Sequence, residues 1–191
     1  MDLGGSQPAR AKNLRDLRLE KEGHVLLLRD ARFQRLDRPC KRRILDLLGV
    51  DANERYGPQS FDLVMTDVPV EPITIENVSR YLDGLALVEL KTTKKPIRNA
   101  QLGGFFYGAT ENEYRLAQLL GRRFVFAFVV INEVNEYGSP FAVLRTLEEI
   151  EAQTQSRRTQ FQVSLRAAED QPDPGDLVLL EVLGEATNSP S

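Results

Sequence analysis

The chain has 191 residues, 41% hydrophobic and 28% charged, with a formal net charge of −3. That length supports one domain with a sizeable core; no apolar run reaches the ~18–20 residues that span a bilayer, and the polar N-terminus lacks a signal-peptide core. The single cysteine, Cys40, and the single histidine, His24, exclude an internal disulfide and a Cys/His zinc site, argue against Ser-His-Asp or Cys-His catalysis, and make the cytoplasm the default expectation.

Residues 1–10 are small or polar, and disorder is expected there. From residue 11 to about 36 the pattern is mixed: Leu14 and Leu17 follow helical spacing, while the apolar run 25–28 fits strand or helix. Pro39 and Gly49 then bracket a helix with Ile44, Leu45, Leu47 and Leu48 on its apolar side. Residues 51–60 read as loop. Residues 61–67 read as a strand, with Phe61, Leu63 and Met65 on one face and Asp62, Val64 and Thr66 on the other. Ile75, Val78, Tyr81 and Leu82 recur at helical spacing across 74–84.

The strand expected next is Leu85-Ala86-Leu87-Val88-Glu89-Leu90-Lys91. Glu89 and Lys91, two apart, project to the same face, and Ala86, Val88 and Leu90 to the other. Burying both charges in so apolar a strand is costly without compensation, so they form either a structural ion pair or a site that uses them. Beyond lie Thr92, Thr93, the basic residues Lys94, Lys95 and Arg98, and the pair Gly103-Gly104.

Thr110-Glu111-Asn112-Glu113 has the form of a capping box, opening a helix that carries Tyr114, Ala117, Leu119 and Leu120 and stops at Gly121. Residues 124–131 are apolar on both faces, the pattern of a central strand, and strand, helix and strand in this order predict a parallel crossover. A strand near 141–144, a second capping box at Thr146 and Glu149, and short strands at 161–165 and 177–183 complete the reading, with a frayed tail at 184–191. The class expected is α/β or α+β around a mixed sheet flanked by helices.

Charge is unevenly spread. Residues 1–50 hold twelve Lys/Arg against seven Asp/Glu, and residues 133–191 hold four against eleven. Basic clusters suit phosphate backbones or are simply solvated faces.

Asp62 and Glu89 stand on strands expected to neighbour each other, and Lys91 shares the face of Glu89. Two carboxylates with room for water suit a hard cation such as Mg²⁺, with Mn²⁺ as a substitute. Such an ion polarises a phosphate oxygen and activates a bound water, while a lysine beside it stabilises developing charge. The order Asp62 … Glu89-Leu90-Lys91 resembles the PD-(D/E)xK superfamily of restriction endonucleases, repair nucleases and junction resolvases. Val88-Glu89-Leu90-Lys91-Thr92-Thr93, a Glu113-bearing helix and an apolar strand are similar to the restriction-endonuclease-like domain at the C-terminus of plant NO VEIN proteins and of many bacterial defence proteins.

The resemblance covers residues 61–132. It departs from the pattern at Phe61, where the superfamily's proline would stand, and ahead of Asp62, where no first core strand is evident. It implies one nuclease-like domain over 11–183 and Mg²⁺-dependent hydrolysis of DNA, in restriction, defence or repair. Asp62 and Glu89 would be the metal ligands and Lys91 the catalytic lysine. Thr92, Lys94, Lys95 and Arg98 are candidate DNA contacts, and Glu113 is an accessory residue or a cap. A homodimer or a partner subunit of a defence system fits the same picture. Glu20, Glu22 and Glu54 are alternative sources of a further ligand, and Asp67, at the wrong parity and beside Val68-Pro69, reads as a turn residue. His24 and Cys40 read as structural. A different class also fits: a nucleic-acid- or partner-binding module that keeps the fold without hydrolysis. The remaining reading is a structural Glu–Lys pair.

Overall fold

A computed structural model of the chain describes residues 14–50 and 57–153. Seven successive apolar residues cannot all face one core, and Phe124–Val130 is buried on both sides, at the heart of a five-stranded sheet. In chain order the elements are α1 (Leu14–Leu27), β1 (Phe33–Gln34), α2 (Arg38–Leu47), β2 (Leu63–Thr66), β3 (Leu85–Thr93), α3 (Glu111–Leu120), β4 (Phe124–Val130), β5 (Phe141–Thr146) and α4 (Leu147–Gln153). The strands lie in sequence order, and β3 and β4 are the one parallel pair. The class is α+β with a mixed sheet, and α3 lies in the connection between the parallel strands. These elements belong to a compact unit that ends at Gln155. The expected strands at 161–165 and 177–183, both termini and Glu54 fall outside the described residues. Among the described residues no helix is long and apolar enough to cross a membrane.

Alternation along β3 divides the core in two. Leu85 and Leu87 join Phe124, Phe126 and Phe128 of β4 on the face covered by Cys40, Ile44 and Leu45 of α2 and by Leu116 and Ala117 of α3. Val88 and Leu90 join Val125, Ala127 and Val129 on the other face, with Leu27 of α1. The run 25–28 therefore belongs to a helix end, where Leu27 finds this second core. Gly23 lets α1 approach β3: a Cβ built there would overlap Thr92 Oγ1 and lie 3.2 Å from Leu90 Cδ2. Gly23→Ala is expected to lower stability by about 1–3 kcal/mol in urea unfolding, and a second change, Thr92→Ala, to restore most of it. If Gly23→Ala unfolds at the same denaturant concentration as the parent, this close approach is not a constraint.

Both capping boxes are present. Thr110 Oγ1 accepts from the Glu113 amide while Glu113 Oε2 accepts from the Thr110 amide. Thr146 and Glu149 repeat the exchange at the head of α4. In α3 the buried positions are Glu113, Leu116 and Ala117, and Leu119, expected on the apolar side, is exposed.

Two expectations fail locally. Residues 74–84 form no α-helix but two short 3₁₀ turns, Val78–Arg80 and Leu82–Gly84. A first turn does begin there, with the Val78 amide on the Thr74 carbonyl and the Asn77 side chain accepting from the Thr74 amide as at a helix start. The bonds that follow run from Arg80 to Asn77, Tyr81 to Val78 and Gly84 to Tyr81, so the turn tightens into 3₁₀ geometry and does not propagate. Phe61 does not share a face with Leu63 and Met65. The chain bends at Phe61 and Asp62 before β2 begins, so Phe61 packs with Val64 in the α2-side core. A strand does precede Asp62 in the sheet, the two-residue β1, too short to be read as a period.

Candidate active site

Burial along β3 declines toward its C-terminal end. Leu87 is fully buried, Glu89 is 7% exposed, and the Lys91 side chain is 12% exposed. Glu89 stands opposite Phe126 and Lys91 opposite Phe128 in the parallel register, so both project where the aromatic core gives way to solvent. Lys91 Nζ donates to Glu89 Oε1 at 2.8 Å and to Glu113 Oε2 at 2.7 Å. The same Glu113 oxygen takes the Thr110 amide at 3.0 Å, so cap and site share one acceptor. Glu113 is thus the cap of α3, and the same carboxylate touches Lys91.

Asp62 sits one residue ahead of β2, where the backbone brackets Glu89. The Asp62 amide donates to the Val88 carbonyl, and Asp62 Oδ2 accepts from the Leu90 amide, each at 2.9 Å. The carboxylate thus replaces a strand carbonyl that the bend at Phe61 takes away. Its charge is felt at Glu89.

Burial, opposed by Lys91 and reinforced by Asp62 and Glu113, pushes the Glu89 carboxyl up to about 8. Burial also works against the ammonium of Lys91, but Glu89 and Glu113 more than offset it and hold its pKa above the ordinary lysine value. Lys91 is therefore a standing cation, suited to hold an oxyanion and unsuited to act as a base at neutral pH.

A further lysine belongs here that sequence reasoning passed over. Lys41 Nζ, from α2, donates to the Phe61 carbonyl at 2.6 Å and lies 4.7 Å from the centroid of the Phe61 ring. Burial lowers its pKa, and the charges of Asp62 and Glu89 pull the other way. The available signal was helical phase: Lys41 stands three residues before Ile44 and four before Leu45, on the apolar side of α2.

The other candidates are scattered. Thr92 points to the α1 side of the sheet, away from Glu89, and its buried hydroxyl has no hydrogen-bond partner among the described residues. Lys94 pairs with Glu22 at 3.0 Å, and Arg98 with Glu136 at 2.9 Å. Lys95 is exposed, with its amide held by Thr93 Oγ1. Glu20 and Glu22 lie on α1, which packs across the opposite face of the sheet from Glu89, so the sheet separates them from the site. Asp67 is an exposed bend residue, His24 Nδ1 meets the Glu20 carbonyl within its own helix, and Cys40 is buried in the core.

Among the described residues no three Asp, Glu, His or Cys side chains converge as a closed cation cage. Glu113 Oε2 serves both Lys91 and Thr110. Glu89 gives one oxygen to Lys91 and Asp62 gives one to the Leu90 amide, so each of these two keeps a second oxygen that takes no hydrogen bond among the described residues. Two carboxylates are a donor set that a hard cation keeping several waters can use. No protein family, curated protein or solved structure matches the chain.

Proposed function

We propose that the protein is a Mg²⁺-dependent endonuclease that hydrolyses DNA phosphodiester bonds, with Mn²⁺ able to substitute. The observation that carries this reading is the Lys91 ammonium clasped by Glu89 and Glu113 at the C-terminal end of β3, with Asp62 alongside. A purely structural Glu–Lys pair needs one carboxylate, whereas this lysine has two and a third acid stands nearby. The resemblance of Asp62 … Glu89-Leu90-Lys91 to the PD-(D/E)xK nucleases supports the same reading.

Asp62 and Glu89 would hold the ion, which when bound polarises the phosphate and lowers the pKa of a coordinated water. The chain's own contribution is charge and position. Lys91 can exchange one of its carboxylate partners for a phosphoryl oxygen, stabilising the negative charge that grows as water attacks phosphorus and the P–O bond to the leaving strand breaks. The Asp62 bonds to Val88 and Leu90 fix Glu89 between them, so the donor pair keeps its geometry as substrate enters. The proposed setting is cytoplasmic restriction, defence or repair, with a homodimer supplying two sites for double-strand cleavage or a partner subunit supplying specificity.

Plasmid nicking with Mg²⁺ or Mn²⁺ tests the reading. The parent protein should cut and Asp62→Asn should lose cutting while retaining its fold by circular dichroism. Cutting by Asp62→Asn at the parental rate would remove Asp62 from the site. The second reading, a binding module without hydrolysis, is favoured by one feature: both visible partners of Lys91 are protein carboxylates, a closed and self-satisfied cluster. Salt-dependent DNA binding with no cleavage under any divalent metal would select it.

A further inference from the structure

Of the cations expected to meet DNA, Lys94 and Arg98 are already paired with acids, Glu22 and Glu136, while Lys95 is exposed with no acidic partner among the described residues. Helix α2 is the opposite case. Arg35 just before it, and Arg38, Arg42 and Arg43 on it, are exposed, and among the described residues none has an acidic partner. The nearby acid Asp37 is spent on capping the Cys40 amide, which leaves Asp46 as the acid within the helix.

Lys41 extends this set inward. It is partly buried, its neighbours are a carbonyl and an aromatic ring, and no carboxylate pairs with it among the described residues. Arg35 is close enough to repel it, and Asp62 and Glu89 are close enough to attract it. A buried ammonium without a counterion is costly, and one at the rim of an acidic site is where an incoming anion recovers that cost. Arg38 stands three residues before Lys41 and four before Arg42, so the three sit on adjoining turns of one helical surface.

We propose that α2 is the surface that binds the DNA phosphate backbone, with Arg38 and Arg42 on flanking phosphates and Lys41 taking a non-bridging oxygen of the phosphate beside Asp62 and Glu89. The inference rests on the reading of the protein as one that acts on DNA. It moves the main backbone contact from the loop after β3, where two of the three cations are internally neutralised, to a helix whose arginines are not.

Binding of a short labelled DNA duplex in Ca²⁺, titrated with salt, tests it. Each lost phosphate contact lowers the slope of log K against log salt by about 0.9, so Arg38→Gln/Arg42→Gln should lower it by about 2, and Lys94→Gln/Arg98→Gln by less. Both arginines are exposed, so this variant should fold, which Lys41→Gln need not do. Lys41→Gln, where folded, should weaken binding, and Lys41→Arg should recover it. Unchanged affinity and slope in the Arg38/Arg42 variant would overturn the inference, as would absence of DNA binding by the parent at low salt. If the parent binds with the expected slopes yet cuts nothing in Mg²⁺ or Mn²⁺, the nuclease reading falls and the α2 surface stands. If the parent cuts and the α2 variant binds as the parent does, the reverse holds.

Discussion

Lys91→Met is expected to lower Mg²⁺-supported DNA cleavage by about 10²–10³-fold, the size of effect seen when one preorganised oxyanion-stabilising donor is removed. It also leaves Glu89 and Glu113 facing each other without their shared cation, and removing one partner of a buried ion pair costs about 3–5 kcal/mol. The two effects are separable through Lys91→Arg. The guanidinium keeps the charge and should recover much of the stability, but its planar fork cannot reproduce a compact ammonium held at 2.7 and 2.8 Å by two oxygens. Stability recovered with cleavage still lost would tie the rate to the geometry at Nζ. Cleavage by Lys91→Met within a few-fold of the parent would remove the lysine from the chemistry.

Glu89→Gln should change the pH dependence of folding as well as abolish cleavage. The ordinary glutamate value of 4.5 applies in the unfolded chain, and the folded carboxyl sits at about 8. The folded state therefore binds the proton more tightly. Its stabilising contribution is complete below about 4.5 and is lost as pH rises through 8. At about 1.36 kcal/mol per pH unit the loss is on the order of 5 kcal/mol, reduced in practice by rearrangement around Lys91. The metal-free parent should thus lose stability between pH 5 and 8, whereas Glu89→Gln, a neutral mimic of the protonated acid, should stay flatter and become the more stable protein above pH 8. Denaturant melts at a series of pH values read this directly. Parallel stability curves for the two proteins would mean that Glu89 is solvated and free of the strain assigned to it.

The parts of this architecture that could be read in the sequence are those governed by short-range rules. Two capping boxes, the alternation of β3 and the unbroken apolar run of β4 each depend on residues within one turn or one strand, and all reappear. The pairing of Glu89 with Lys91 follows from the period of two. What sequence reasoning missed depends on contacts made across the chain or on local pitch. Lys41 meets Phe61 twenty positions away, and that meeting exists only because the chain bends at Phe61 and Asp62. Residues 74–84 open with a helix-like turn and then tighten into 3₁₀ bonding, a change of pitch that the spacing of apolar residues does not register. Thr92 looked available because it adjoins Lys91, yet the same alternation that joins Glu89 to Lys91 turns Thr92 to the far side, under Gly23.

The single oxygen of Glu113 that serves both the Lys91 ammonium and the Thr110 amide has a consequence for how this chain tolerates change. Starting α3 one residue earlier or later would rotate Glu113 by about 100° and carry its carboxylate off the lysine. Single-residue insertions or deletions inside the Thr110–Glu113 turn should therefore not be accepted, because the residue that closes the cap is the residue that holds the lysine. The angle at which this helix starts is fixed twice over.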